Sequence, residues 1–210
     1  MRYPLSEMTN SQSKHNAAAL DTETASHSPG KRDRLIEGAC LTLHRQGVEG
    51  TTLADIAQAA DVPVGNVYYH FKTKDELVQA AIDAHAQQLR TALASLDQHR
   101  TPRARLKAFV RMIASEGDLA ARYGCPQGTL CSELDKREDG LERSAATLMQ
   151  IPIDWAEGQF RAMGRRDARD LAIALIAAYQ GISLLTNTFR APELMTREAH
   201  RLTRWIDSLA

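Results

Sequence analysis

Cysteine is scarce in this 210-residue chain: Cys40, Cys125 and Cys131 are the only three. That is too few for a disulfide scaffold and fits a reducing compartment. Neither sign of charge is in excess, since 26 Lys and Arg balance 26 Asp and Glu. Net charge alone therefore gives no support to a nucleic-acid partner. No unbroken apolar run reaches membrane-spanning length. The most apolar stretch, Leu171 to Leu185, is shorter and carries Gln180 and Gly181, so no membrane-crossing helix is expected. The opening MRYPLSEMTNSQSK lacks the apolar core of a secretory signal, and a soluble cytoplasmic protein is expected. Nucleophile elbow, phosphate-binding glycine loop and metal-ligand cluster are all missing. Neither an enzyme nor a bound cofactor or metal is expected.

Residues 1–30 are rich in Ser, Thr, Asn and Gln and end in Pro29-Gly30. A segment so poor in apolar residues cannot offset its ordering entropy, and a disordered tail is expected. From Lys31 onward the apolar period is helical, with no alternating β-branched run, so the fold class is all-α. Leu35, Ile36, Ala39, Cys40 and Leu43 form one stripe of a helix that stops near Gly47. Thr52 and Asp55 have capping-box spacing ahead of a short helix, Leu53 to Ala60. Asp61-Val62-Pro63 then breaks the chain, and Pro63 opens a third helix confined to about Val64–His70. Thr73 with Glu76 predicts a second capping box, the better one because it has Glu, and a long helix to about Leu96. Thr101-Pro102 opens a helix to about Tyr123, Gly124 to Gly128 interrupts, and helical pattern resumes near Ser132. Three further helices are expected over Leu141 to Met163, kinked at Pro152, then Asp167 to Phe189 and Pro192 to Leu209.

Three short helices between Lys31 and His70, the last two joined by a tight turn, have the dimensions of a helix-turn-helix. Val62, Val67 and Phe71 point to its core. Gly65, Asn66, Tyr69 and His70 are left on the outer surface, with Tyr68 at the edge. An amide, two phenols and an imidazole suit base edges and phosphate oxygens, and the helix N-terminus faces its dipole towards phosphate. Aromatic neighbours at 68 and 69 are equally able to pack, and Asn66 to be simply solvated.

The stretches Gly50-Thr51-Thr52-Leu53-Ala54-Asp55-Ile56-Ala57 and Val62-Pro63-Val64-Gly65-Asn66-Val67-Tyr68-Tyr69-His70-Phe71-Lys72-Thr73-Lys74-Asp75-Glu76-Leu77 closely resemble the DNA-binding domain of TetR/AcrR-family transcriptional regulators. The resemblance covers about residues 31–78. It implies a phosphate clamp of Thr51, Tyr68, Tyr69 and Lys74, with Thr52 as a cap that also reaches phosphate. Val64, Gly65 and Asn66 fall where the family reads bases. Pro63-Val64 departs from the polar or basic residues common there, which points to an apolar contact such as a thymine methyl. Residues 31–76 hold six Lys or Arg against seven Asp or Glu. Binding would therefore depend on local clustering of Lys31, Arg32, Arg34, Lys72 and Lys74, with few counterions released per protomer.

The rest of the chain, 79–210, is expected to sense a ligand and to dimerise. One short recognition helix gives little contact, so such modules work as dimers on paired half-sites. Leu171, Ala174, Leu175, Ala178, Ile182 and Leu185 supply a surface for this, joined by Leu202, Trp205, Ile206 and Leu209, although both stripes also suit a domain's own core. The resemblance implies a homodimer through a four-helix bundle of these helices. A small-molecule effector would release the protein from operator DNA, as in a repressor of this kind. Candidate lining residues are Phe109, Met112, Ile113, Tyr123, Met149, Trp155 and Phe160, which ordinary core packing would explain equally. The Gly124-Cys125-Pro126-Gln127-Gly128 segment looks like a feature of LmrA/YxaF-like members. Cys125 in a loop and Cys131 capping the next helix offer an alternative, a redox- or electrophile-sensing switch, unless both are small buried hydrophobes. A cysteine enzyme using Cys125 and a purely structural module are the remaining readings.

Overall fold

The computed structural model describes residues 30–209. Residues 1–29, on which the expected tail falls, and Ala210 lie outside the described residues.

Helix α1 (Lys31–Gly50) buries Leu35, Ala39 and Leu43 along the expected stripe. Burying each large side chain stabilises by about 1.5–3 kcal/mol. The helix is broken at the expected place: Gly47 has φ 74° and ψ 174°, a conformation that excludes most side chains. Its backbone also lies against the carboxylate of Glu133, to which Val48 N donates a hydrogen bond. Helix α2 (Leu53–Ala59) opens with a complete reciprocal box between Thr52 and Asp55. The hydrogen bonds from the Thr52 hydroxyl and backbone hold the Asp55 carboxyl below its usual range. Asp61 turns the chain through φ 51°, and α3 (Val64–His70) follows Pro63 as expected.

Helix α4 (Lys74–Ser95) starts with half of the expected box. Thr73 accepts from Glu76 N, but the Glu76 carboxylate reaches past it to Lys72 N at 2.7 Å. The shorter Asp55 thus closes the true box, because it has no longer reach to spend elsewhere. A 3-10 turn, Leu96–Gln98, leads to α5 (Pro102–Ala114). The helix expected to continue to Tyr123 instead breaks at Ser115 and Glu116, and α6 (Gly117–Tyr123) follows. Gly117 is buried against Pro192, where a side chain would crowd its carbonyl. The next interruption is shorter than expected. Only Gly124 and Cys125 separate α6 from α7 (Pro126–Leu134).

Helix α8 (Leu141–Ala162) runs unbroken through buried Pro152, where a kink was expected. Helix α9 (Ala168–Phe189) packs on α8 and α6, and α10 (Glu193–Ser208) returns along α5 and α9. Among the described residues there is no β-strand.

Two apolar cores result. One joins Leu35, Ile56, Val67, Phe71, Leu77 and Ile82 with Leu130, Leu134 and Leu148 of α7 and α8. The other joins Phe109, Val110, Phe160, Leu175, Leu202 and Ile206. Helix α4 spans both, so the division expected at residue 78 falls inside a continuous helix. One sequence expectation needs revision here: at 22 residues, α9 is long and apolar enough by composition to cross a membrane. Its Leu175 and Ile176 are packed in the second core.

Candidate nucleic-acid interface and internal cavity

Val62, Val67 and Phe71, all buried, seat α3 on the first core. This fixes which face turns out. Val64, Tyr68 and Tyr69 are 45%, 54% and 79% exposed, so neither phenol packs inward and Tyr68 is more open than an edge position implies. Gly65 is exposed, and a side chain there would meet nothing of the protein within 4 Å. The fold itself thus places no demand on that glycine. Asn66 and His70 are half-buried; Asn66 N donates to the Pro63 carbonyl, and the His70 ring meets Tyr69 edge-on at 5.0 Å.

The flanking residues divide. Thr52 is exposed, its hydroxyl donating to Asp55 Oδ2 at 2.7 Å. Thr51 is 1% exposed and its hydroxyl donates to the Gly47 carbonyl at 2.6 Å. That corrects its expected place in a phosphate clamp, because the break at Gly47 turns the side chain inward. Lys74 is half-buried at the start of α4. Within the basic cluster, the Lys72 ammonium donates to the Tyr68 carbonyl at 2.9 Å, Arg32 stacks 5.2 Å from the Phe71 ring centre, and Arg34 donates to the Asp61 carbonyl. Three of the five cations therefore brace the domain from within.

A cavity of about 230 Å³ lies between α4, α5, α7, α8 and α9. Of the expected lining residues, Phe109, Met112 and Ile113 do face it. Four do not. Tyr123 stands edge-on to His44 and under Arg45. Met149 follows Leu148, which lines the cavity, and one residue of helical rotation turns it into the second core. Trp155 packs on the far side of Phe109 at 5.5 Å, and Phe160 is fully buried against Trp205.

The polar wall went unanticipated. It comprises His44, His85, Gln88, Glu116, Cys125, Gln127, Tyr179 and Gln180. A signal was present: His85 sits at i+4 from Ala81 and i−4 from Leu89, an imidazole on an apolar stripe. Burial, reinforced by nearby His44, pushes His85 down to about 4, so it is neutral at physiological pH. Burial also raises the Glu116 carboxyl. Tyr179 is raised well above its usual value by burial and by the sulfur of Cys125.

The two outer cysteines differ from expectation. Cys125 itself caps α7: its sulfur accepts from Gly128 N at 3.4 Å, the Tyr179 hydroxyl at 3.4 Å and the Gln180 amide at 3.5 Å. Cys131, expected as the cap, lies inside α7, donates to the Ala145 carbonyl at 3.2 Å, and is pushed by burial up to about 11. This corrects its assignment as an activated thiol. Cys40 packs against the first core and is likewise raised to about 11 by burial.

Residues 35–81 match the family described as bacterial regulatory proteins, tetR family. Over 53 residues the chain is 49% identical to the HTH-type transcriptional regulator TtgR of Pseudomonas putida, a match covering 25% of each protein. The chain thus spans about a quarter of that relative. An uncharacterised HTH-type transcriptional regulator encoded in the lacX 3' region of Lactococcus lactis is 28% identical over 160 residues, 73% of this chain and 82% of that one. Among solved structures, a TetR transcriptional regulator from Chloroflexus aurantiacus superposes with a TM-score of 0.75 at 25% identity, covering 84% of this chain and 94% of the other. Motif, helix order and overall architecture agree: residues 35–81 are those of the tetR family of bacterial regulatory proteins, and the chain is similar in fold to TetR transcriptional regulators.

Proposed function

We propose that the protein is a homodimeric, DNA-binding transcriptional repressor that leaves its operator when a small molecule occupies the cavity. The observation that carries this is α3, held on the core by Val67 between buried Val62 and Phe71 while Val64, Gly65, Tyr68 and Tyr69 stand open to solvent. Tyr68, Tyr69 and Lys74 would hold phosphate, with Thr52 beside them. Val64, Gly65 and Asn66 would meet base edges, and His70 would approach from the end of the helix.

Dimerisation finds its support in α9. Leu175 of the expected stripe is fully buried in its own core, as are Leu202 and Ile206 of α10. The face left open carries Ala174 and Leu185 of the expected stripe together with Ile173, Ala177, Gly181 and Leu184, which the stripe did not include. Small residues among large apolar ones let a second copy of the helix approach closely, and an exposed apolar stripe of this length needs a cover.

Release requires an occupant that favours the DNA-incompetent state. The cavity wall at Gly124, and the chain that follows it through α7 to Arg137, connect to the reading end. The Gly124 carbonyl meets His44 Nε2 at 3.0 Å, Glu133 holds Val48 N, and Arg137 pairs with Asp75 at the start of α4 at 2.8 Å. A shift of α7 would therefore be felt by α1 and α4 together.

The test is enrichment of genomic fragments by the purified protein, followed by mobility shift on the best fragment across a salt series. Replacing Lys74 with Ala should weaken binding to all sequences and lower the slope of log K against log salt by about one. An unaltered slope would remove Lys74 from the interface. Absence of any enriched fragment would remove the regulator reading itself.

A second reading has one observation in its favour: Cys125 stands in the cavity wall with three donors converging on its sulfur. An α,β-unsaturated carbonyl entering there would be attacked at its β-carbon, forming a carbon–sulfur bond. The displaced π pair would pass to oxygen and be neutralised by the thiol proton. Among the described residues, neither an imidazole nor a carboxylate is a hydrogen-bond partner of Cys125, which leaves a turnover enzyme without a general base there. If this switch operates, Cys125→Ser abolishes operator release by such electrophiles while Cys131→Ser retains it. Equal release from wild type and both variants rejects the thiol switch.

A further inference from the structure

Among the described residues, three buried side-chain polar atoms have no hydrogen-bond partner: His85 Nε2, Trp155 Nε1 and Thr186 Oγ1. Of these three residues, only His85 lines the cavity, and it is 6% exposed. Leaving a buried donor or acceptor unsatisfied is unfavourable, so a partner supplied by a ligand is favoured there.

The rest of the wall restricts what that partner belongs to. Among the described residues no lysine or arginine lines the cavity, so an anion would enter without a counter-charge from them. The only acid among the described lining residues, Glu116, is exposed, so water already solvates its charge and it does not call for a cation from the ligand. Phe109, Tyr179, Met112 and Met195 surround the space; ring faces and thioethers pack well on an aromatic guest. An apolar cavity of about 150 Å³ holds benzene, and the 230 Å³ here admits one ring with a few further atoms. A neutral imidazole has one donor and one acceptor nitrogen, and a hydroxyl satisfies Nε2 in either tautomer because it both gives and accepts.

We propose that the cavity binds an uncharged, single-ring aromatic compound bearing one hydroxyl, which hydrogen-bonds to His85 Nε2. The proposal deepens the effector reading above by assigning the class of compound, and its test separates the two.

Calorimetric titration of the full-length protein uses three probes of one shape: 4-ethylphenol, 4-ethyltoluene with methyl in place of hydroxyl, and the 4-ethylbenzoate anion. The phenol should bind about tenfold more tightly than the toluene, the worth of one buried hydrogen bond, and the benzoate should bind weakest. His85→Leu should erase the phenol's advantage, and His85→Gln should restore part of it. Equal affinity for phenol and toluene, tighter binding of the benzoate, or no binding of the phenol overturns the proposal, and these comparisons need only the wild-type protein. A mobility shift with an enriched DNA fragment is read separately. Phenol binding without DNA release leaves the ligand class standing and overturns the effector reading; release by toluene and phenol alike, at equal affinity, overturns the class alone.

Discussion

Leu184→Glu should yield a monomer by light scattering at micromolar concentration and lower operator affinity by about 100-fold. Leu184 is 66% exposed in the single chain, on the open face of α9 beside Gly181 and Leu185. In a two-fold interface every substitution counts twice, so two carboxylates would have to be buried facing one another. Neither finds a cation on that stripe, and unpaired buried charge costs several kcal/mol. Loss of the dimer turns one bivalent binding event into two independent weak ones, which is the source of the affinity change. The variant should keep its helical circular dichroism, since Leu184 contributes nothing to the second core. A dimer that survives this change would move the interface elsewhere.

Phe160→Ala should lower stability by about 3–5 kcal/mol, the range for removing a fully buried ring. In a chain of this size that is a fall in Tm of roughly 10 °C. Phe160 is 0% exposed, meets Trp205 edge-on at 5.9 Å, and ties α8 to α10. It does not line the cavity. Thermal unfolding monitored by circular dichroism checks the magnitude. Phenol affinity measured below the transition should stay within a few-fold of wild type, and a change confined to ligand affinity would reverse the assignment of Phe160 to the core.

The helix-turn-helix was legible because its determinants are local. Thr52 with Asp55, Pro63 at a helix start, and the spacing of Val62, Val67 and Phe71 each act within a few residues, and each is found where the pattern puts it. Thr51 was not legible. In sequence it is the twin of Thr52, and only the backbone break at Gly47 decides which hydroxyl turns inward. The sensing region was read less well for a different reason. Helix α9 is apolar on several faces, so periodicity does not distinguish Leu175, which is buried, from Leu184, which is open. Lining residues depend on about 100° of helical rotation between neighbours such as Leu148 and Met149, finer than a stripe of apolar letters resolves. The room for only a glycine at 117, just after the break, is set by Pro192, far away in the chain.

The apolar core beneath α3 is built from both sides of residue 78. Leu77 and Ile82 share it with Leu130, Leu134 and Leu148. A fragment ending at residue 78 would therefore be stripped along one flank, with half its seam facing water. Heads of related proteins could not be grafted onto this body, or this head onto theirs, without re-matching that seam. Nor is there a loose joint for a signal to cross: what strains the body is felt at once in the head, because the two are walls of the same room.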